Sequence, residues 1–104
     1  MANYLLAYKG GSMAATDEER KLAMAAWGAW FGGLGAAVVD PGNPFGPSAT
    51  VAGDTSVSDG AQSALTGYSV LSADSLQAAG ELVKGCPVLV AGGSVEVYET
   101  IPVM

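Results

Sequence analysis

The segment TGYSVLSADSLQAAGELVKGCP, residues 66–87, decides the fold because it joins a clear strand pattern to a clear helix pattern. In its first part, Tyr68 and Val70 alternate with a second set of residues (Gly67, Ser69 and Leu71). A period of two is typical of a strand whose two faces meet different surroundings. We therefore predict a strand over residues 66–72.

The second part of this segment predicts a helix. Asp74 is followed three residues later by Gln77, which is the spacing of a capping box. Apolar residues then recur at helical spacing (Leu76, Ala79 and Val83). Gly85 is expected to end the helix, and Pro87 to prevent it from resuming.

The N-terminal part of the chain predicts the same order of elements. Residues 3–8 form a compact apolar and aromatic run, which is typical of a strand. Thr16 and Glu19 then form a capping box, so a helix is expected to begin there. Trp27 lies at the centre of an apolar stripe on this helix (Ala23, Phe31 and Leu34), and such a stripe indicates packing against the core.

The middle of the chain predicts irregular structure. Three prolines between residues 41 and 47 exclude a helix and a central position in a sheet, so a short strand with a kinked arm is expected. Gly53 with Asp54, and Asp59 with Gly60, have the chemistry of turns. They predict a hairpin loop in this polar region.

The last predicted strand covers residues 94–100. Its side chains alternate, with Val95 and Val97 on one face and Glu96 and Tyr98 on the other. The valines are expected to face the core.

The resulting order βαββαβ predicts an α+β protein with one domain over residues 1–104 and the ferredoxin-like arrangement. In this fold a four-stranded antiparallel sheet carries two helices on one face. The opposite face must be solvated or paired. We therefore expect the chain to form a homodimer through this uncovered face.

The charge and composition of the chain exclude several classes of protein. A formal net charge of −6 argues against binding to nucleic acid or to an anionic membrane surface. The absence of His excludes His metal ligands and nucleophiles activated by an imidazole, and the single cysteine cannot form an internal disulfide. No metal site and no cofactor are expected.

Residues 22–39 carry no charge and are long enough to raise the question of a membrane span. Four glycines interrupt them and Asp40 with Pro41 ends them, so a buried helix that runs into a strand is the preferred interpretation. The N-terminus lacks the basic region of a signal peptide. A cytoplasmic protein without a membrane segment is therefore expected.

Several of these segments, taken in order, resemble the C-terminal half of the YCII-related (DGPF-type) proteins, and the start of the chain is also similar to theirs. The likeness is carried by TGYSVL (66–71), ADSL (73–76), Cys86 with Pro87, and GGSVEV (92–97). It covers nearly the whole chain. The resemblance implies a dimeric α+β barrel in which two sheets pack face to face and the helices lie outside.

Two departures weaken the chemistry that the resemblance would imply. The family motif Asp-Gly-Pro-Phe is reduced to Asp59 and Gly60, which are followed by Ala-Gln-Ser. Trp27 occupies the place of the His that is the proposed catalytic base in the namesake branch, and an indole cannot transfer protons. The resemblance therefore supports the fold more than an enzymatic activity.

Glu96 is the sharpest candidate for catalysis. A barrel of two sheets would enclose a lumen, and Glu96 and Tyr98 are expected to face it. A carboxylate enclosed among apolar groups has its charged form disfavoured and can act as a general base. The alternative is that Glu96 makes an interface hydrogen bond or ion pair with the second subunit. Tyr8 and Ser69 are weaker candidates for binding a ligand in the same lumen.

Two residues of the first helix are further candidates for ligand binding. Trp27 can contact a ligand, although its apolar stripe favours a role in the core. Arg20 can hold a carboxylate ligand through two hydrogen bonds. Alternatively, it lies along the helix edge and meets Glu96 or an acidic residue of the partner.

The remaining polar candidates have simpler interpretations. Asp40, Asn43 and Asp59 can line a barrel mouth, but turn formation explains each of them. The thiol of Cys86 is expected to be a small buried apolar group.

Three functions are consistent with these patterns. The preferred one is a homodimer that binds a small organic ligand in the cleft between its two sheets. The second is an enzyme of the isomerase or lyase type with Glu96 as general base, assisted by Tyr98 or Arg20. The third is a structural dimer without a ligand site.

Overall fold

The computed structural model describes residues 1–11 and 15–103. Its elements, in chain order, are β1 (Ala2–Lys9), α1 (Asp17–Leu34), a 3₁₀ turn (Gly35–Ala37), β2 (Val38–Asp40), β3 (Ala49–Val51), β4 (Val57–Asp59), β5 (Leu65–Ala73), α2 (Leu76–Val83), α3 (Pro87–Val90) and β6 (Ser94–Glu99). This confirms the predicted α+β class. No described helix combines the length and the hydropathy that crossing a bilayer requires.

The main sheet has four strands in the spatial order β2-β5-β1-β6, and all neighbouring strands are antiparallel. Strands β3 and β4 form a separate two-stranded hairpin. The long strands β1, β5 and β6 are the three that the sequence predicts most clearly. The hairpin turn contains Gly53 and Asp54 as predicted, and the Asp54 carboxylate accepts a hydrogen bond from the backbone N–H of Ser56 at 2.9 Å.

Strand register decides which side chains share a face, because residues paired across antiparallel strands point to the same side. Tyr8 pairs with Val95 and Gly67, whereas Leu5 pairs with Tyr98 and Val70. We define the helix face by one set (Tyr4, Leu6, Tyr8, Ser69, Leu71, Val95 and Val97) and the open face by the other (Leu5, Ala7, Tyr68, Val70, Glu96 and Tyr98).

The core lies between the helix face and the helices. Leu6 and Leu71 are fully buried there, and they pack with residues of α2, α3 and the segment between them (Val83, Cys86 and Val88). Ala79 of α2 is also fully buried. Burial on one face of the sheet agrees with the prediction that the valines of β6 face the core.

Helix α1 packs only through its C-terminal half. Trp27, Trp30 and Leu34 lie against the core, and Trp30 Nε1 donates a hydrogen bond to the Leu82 carbonyl at 3.1 Å. Leu22 and Met24, in the other half, are 71% and 74% exposed. The predicted stripe is therefore in contact from Trp27 onward, while Ala23 is exposed.

The predicted cap of α1 is confirmed. The Thr16 hydroxyl accepts from the backbone N–H of Glu19 at 3.1 Å, and the Glu19 carboxylate accepts from the N–H of Ala15 at 2.7 Å. Three carboxylates in the first turn also favour this helix end (Asp17, Glu18 and Glu19).

Three details predicted for α2 are wrong. The cap is Ser75, which has an extended backbone and whose hydroxyl accepts the N–H of Ala78 at 3.1 Å, because the helix begins one residue later than Asp74 requires. Leu76 is 53% exposed and takes no part in the buried stripe. Pro87 starts α3 instead of only stopping a helix, since its fixed φ suits a first helical position where no N–H is needed.

Candidate ligand-binding site

A cavity of about 510 Å³ opens between α1, β1, β5 and the arm formed by residues 41–44. We call it the pocket. Its lining includes the side chains of Tyr8, Met24, Trp27, Phe31, Ser69 and Val88. Residues 41–44 and 66–68 complete the wall. The pocket lies on the helix side of the sheet.

Three of the residues predicted to bind a ligand meet in the pocket. The rings of Tyr8 and Trp27 lie edge to face, with centroids 5.1 Å apart and an interplanar angle of 72°. Phe31 extends this aromatic wall, since its ring centroid lies 5.8 Å from that of Trp27. Ser69 joins them because β5 pairs directly with β1. Such a wall favours a flat or aromatic ligand.

A chain of two hydrogen bonds runs along the floor of the pocket. The Tyr8 hydroxyl lies 2.7 Å from Ser69 Oγ, and Ser69 Oγ lies 2.6 Å from the carbonyl oxygen of Pro41. Ser69 is fully buried, so these two bonds satisfy its hydroxyl without water. They also tie β1, β5 and the arm to one another.

The Tyr8 hydroxyl is neutral at ordinary pH. Burial raises the pKa of Tyr8 from 10.0 to about 12, although the hydrogen bond with Ser69 offsets part of this effect. Tyr8 therefore acts as a phenol and not as a phenolate.

The arm lies directly on β5 because two glycines leave room for it. Gly42 has a φ of +73°, and a Cβ at this position would overlap the backbone carbonyl of Tyr68. A Cβ on Gly67 would lie 3.1 Å from the carbonyl oxygen of Asn43. The N–H of Tyr68 donates to that oxygen at 3.3 Å, and Asp40 Oδ1 accepts the N–H of Gly42 at 2.8 Å. The hydrogen bond from Gly42 confirms the turn role that was predicted for Asp40.

Among the residues that the structure describes, no charged side chain belongs to the lining of the pocket. Asp40 lies outside the lining, and one of its carboxylate oxygens is 3.5 Å from the Tyr68 hydroxyl. A charged ligand would lose its hydration in the pocket without meeting an opposite charge. The lining therefore suits an uncharged molecule.

Glu96 and Tyr98 lie elsewhere, on the open face. Both are exposed in the single chain, and Tyr98 is 52% exposed. The expectation that Tyr8 and Ser69 share a lumen with them is wrong, because Tyr8 pairs with Val95, and Leu6 pairs with both Ser69 and Val97. These pairings place Tyr8 and Ser69 on the helix face.

Arg20 lies in the exposed first part of α1. Its guanidinium is 3.5 Å from the carboxylate of Asp17, and both side chains are more than half exposed. Arg20 is absent from the lining of the pocket. The structure therefore does not bring it to Glu96 or to Tyr8 within one chain.

Cys86 is part of the core, as predicted. Its side chain is 1% exposed, and burial raises the pKa of its thiol. These surroundings suit an unreactive buried thiol and not a nucleophile.

A second, wider groove of about 980 Å³ runs between α1 and α3 on the other side of Trp27. Its walls include exposed apolar side chains, with Leu22 71% and Val90 92% exposed. Most of its lining is apolar.

Sequence reasoning missed Met24, Phe31 and Val88 as pocket residues, and it missed the roles of Gly42 and Gly67. The prolines of the arm were the available signal, because they excluded a helix and a central position in the sheet.

Comparison of the chain with protein-family models, with curated proteins and with solved structures finds no match.

Proposed function

We propose that the protein binds a small, uncharged, largely apolar organic molecule in the pocket. The observation that carries this proposal is the meeting of Tyr8, Trp27 and Ser69 around a cavity of about 510 Å³ whose lining has no charged side chain. Sites for small molecules are typically concave, mostly apolar and provided with a few placed polar groups. The proposed site therefore lies between the sheet and α1, and not between two sheets.

We propose further that a second copy of the chain covers the open face, with each chain in the ferredoxin-like arrangement and the pair forming a dimeric α+β barrel. The order of the strands and the resemblance to YCII-related proteins support this arrangement. The open face presents apolar side chains from adjacent strands, with Leu5 directly opposite Val70 and Tyr98.

The chain exposes more surface than a compact monomer of its size. Its accessible surface is 7077 Å², whereas a compact monomer of 10.3 kDa exposes about 5,400 Å². The difference, about 1,700 Å², exceeds the roughly 800 Å² that each partner buries in an interface of standard size. The radius of gyration of 15.1 Å also exceeds the value of about 13 Å expected for this length.

The two other functions have less support. Catalysis by Glu96 requires the second copy to enclose a carboxylate that is exposed in the single chain. A purely structural dimer gives no role to a pocket with an ordered hydrogen-bond chain on its floor.

The proposal is tested with probes that share one methylphenyl ring but differ in charge. The neutral probes are p-cresol and 4-methylanisole, and the ions are 4-methylbenzoate and 4-methylbenzylammonium. Binding is followed through the indole N–H signals of Trp27 and Trp30 in ¹⁵N-labelled protein at neutral pH. Trp27 lines both the pocket and the groove, whereas Trp30 lines the groove and not the pocket. A shift of the Trp27 signal without a shift of the Trp30 signal therefore reports binding in the pocket.

The neutral probes are expected to shift the Trp27 signal in a saturable manner and to bind at least about tenfold more tightly than either ion. If no neutral probe moves the Trp27 signal, or if an ion binds as tightly as the neutral probes, the proposed function is wrong.

A further inference from the structure

We infer that the ligand carries a hydrogen-bond donor, an O–H or N–H group, on its otherwise apolar body and directs that donor to the Tyr8 hydroxyl oxygen. This inference rests on the proposed function and deepens it. It follows from the direction in which the protons of the pocket floor must point.

The carbonyl oxygen of Pro41 fixes the direction in which the two hydroxyl groups donate their protons. A carbonyl oxygen only accepts, so the Ser69 hydroxyl must donate its proton to Pro41 over the 2.6 Å contact. Ser69 has a single hydroxyl proton and therefore has none left for Tyr8. The 2.7 Å contact between Tyr8 and Ser69 must then use the proton of Tyr8.

Both hydroxyl protons of the floor are thus already used. The oxygen of Tyr8 retains acceptor capacity, since a phenol both donates and accepts. Tyr8 keeps its proton at ordinary pH because burial raises its pKa to about 12, so the direction of the chain does not change there.

Two backbone donors of the neighbouring wall are used as well. The N–H of Gly42 donates to Asp40, and the N–H of Tyr68 donates to the Asn43 carbonyl. A carboxylate, phosphate or ketone placed at Tyr8 would face lone pairs, whereas an alcohol, phenol or N–H group would complete the chain. At the Tyr8 oxygen the pocket therefore favours a neutral molecule with a donor, of which phenols are the simplest aromatic example.

The test compares p-cresol with 4-methylanisole, in which a methyl group replaces the hydroxyl proton of p-cresol. Dissociation constants are measured from the Trp27 indole signal at neutral pH. A hydrogen bond gained at the floor is expected to make p-cresol bind about three- to tenfold more tightly than 4-methylanisole.

Two variants assign this preference to one oxygen. Tyr8→Phe removes the acceptor and is expected to bring the ratio of the two dissociation constants to about one. Tyr4→Phe is the matched control, because Tyr4 lies on the same strand and face but directs its hydroxyl to Glu99, 3.3 Å away, and not into the pocket. In this control the preference for p-cresol is expected to persist.

The outcomes separate the inference from the proposed function. Saturable binding of both probes with equal affinity, or a preference that survives Tyr8→Phe, overturns the inference and leaves the pocket as a binding site. Failure of both probes to move the Trp27 signal overturns the inference and the proposed function together.

Discussion

The backbone of Gly42 lies so close to the backbone carbonyl of Tyr68 that a side chain at position 42 would overlap it. Gly42 also has a φ of +73°, a conformation that costs other residues energy. This contact seats the arm of residues 41–44 on β5, and the arm forms one wall of the pocket. The shape of the proposed site therefore depends on the absence of a side chain at Gly42.

Gly42→Ala is expected to displace the arm and to lower the free energy of unfolding by about 2 kcal/mol or more, since positive φ alone costs about 1–3 kcal/mol. Urea denaturation measures the change. Gly46→Ala is the control, because a Cβ there meets nothing within 4 Å, and it should change stability by less than about 1 kcal/mol. If the two variants had the same free energy of unfolding, the close contact between Gly42 and β5 would be contradicted.

The cap of α2 gives a second prediction. Ser75→Ala removes the hydroxyl that accepts the N–H of Ala78, so the free energy of unfolding should fall by about 1 kcal/mol. Asp74→Ala, one residue earlier, should change it by less than about 0.5 kcal/mol. A larger loss for Asp74→Ala in urea denaturation would mean that the helix begins at the position first predicted from the sequence.

The free energy of unfolding should decrease at alkaline pH because Tyr8 is buried as a neutral phenol. Its pKa is 10.0 when unperturbed and about 12 in the fold, so the unfolded chain loses this proton first. The contribution of the neutral phenol is fully present below pH 10 and is lost as pH rises toward about 12. Tyr8→Phe should therefore show a shallower decrease in unfolding free energy over this range than the parent protein. Identical slopes for Tyr8→Phe and the parent protein would contradict the burial of Tyr8.

The proposed dimer makes the open face sensitive to charge. Val70→Glu places a carboxylate among Leu5 and its neighbours, and it should convert the dimer to a monomer in sedimentation velocity while leaving the circular dichroism spectrum unchanged. Val90→Glu is the control, since Val90 is 92% exposed on the groove side. A dimer that survives Val70→Glu but not Val90→Glu would place the interface along α1 and α3.

The strands and their faces were readable from the sequence because alternation is a local property. In the structure, Val95 and Val97 lie on one face of β6, and Glu96 and Tyr98 lie on the other, as predicted. Alternation within a strand does not give the register between strands, however. Tyr8 and Ser69 were therefore expected beside Glu96, whereas pairing places them on the helix face.

The pocket itself was not predictable because it depends on long-range contacts. Trp27, Tyr8 and Ser69 were each singled out for separate reasons, but no pattern indicated that they would meet. The pocket requires the arm to fold back onto Gly67 and α1 to pack against the sheet through its C-terminal half. Neither event has a signature in local periodicity.

The most direct test of the pocket is a crystal structure of the protein with 4-iodophenol, whose iodine is located by anomalous scattering. We expect the iodine within the aromatic wall of Trp27 and Phe31 and the hydroxyl group within about 3 Å of the Tyr8 oxygen. Iodine located only on the open face, between two sheets near Glu96 and Tyr98, would contradict the proposed site and restore the cleft first expected from the sequence.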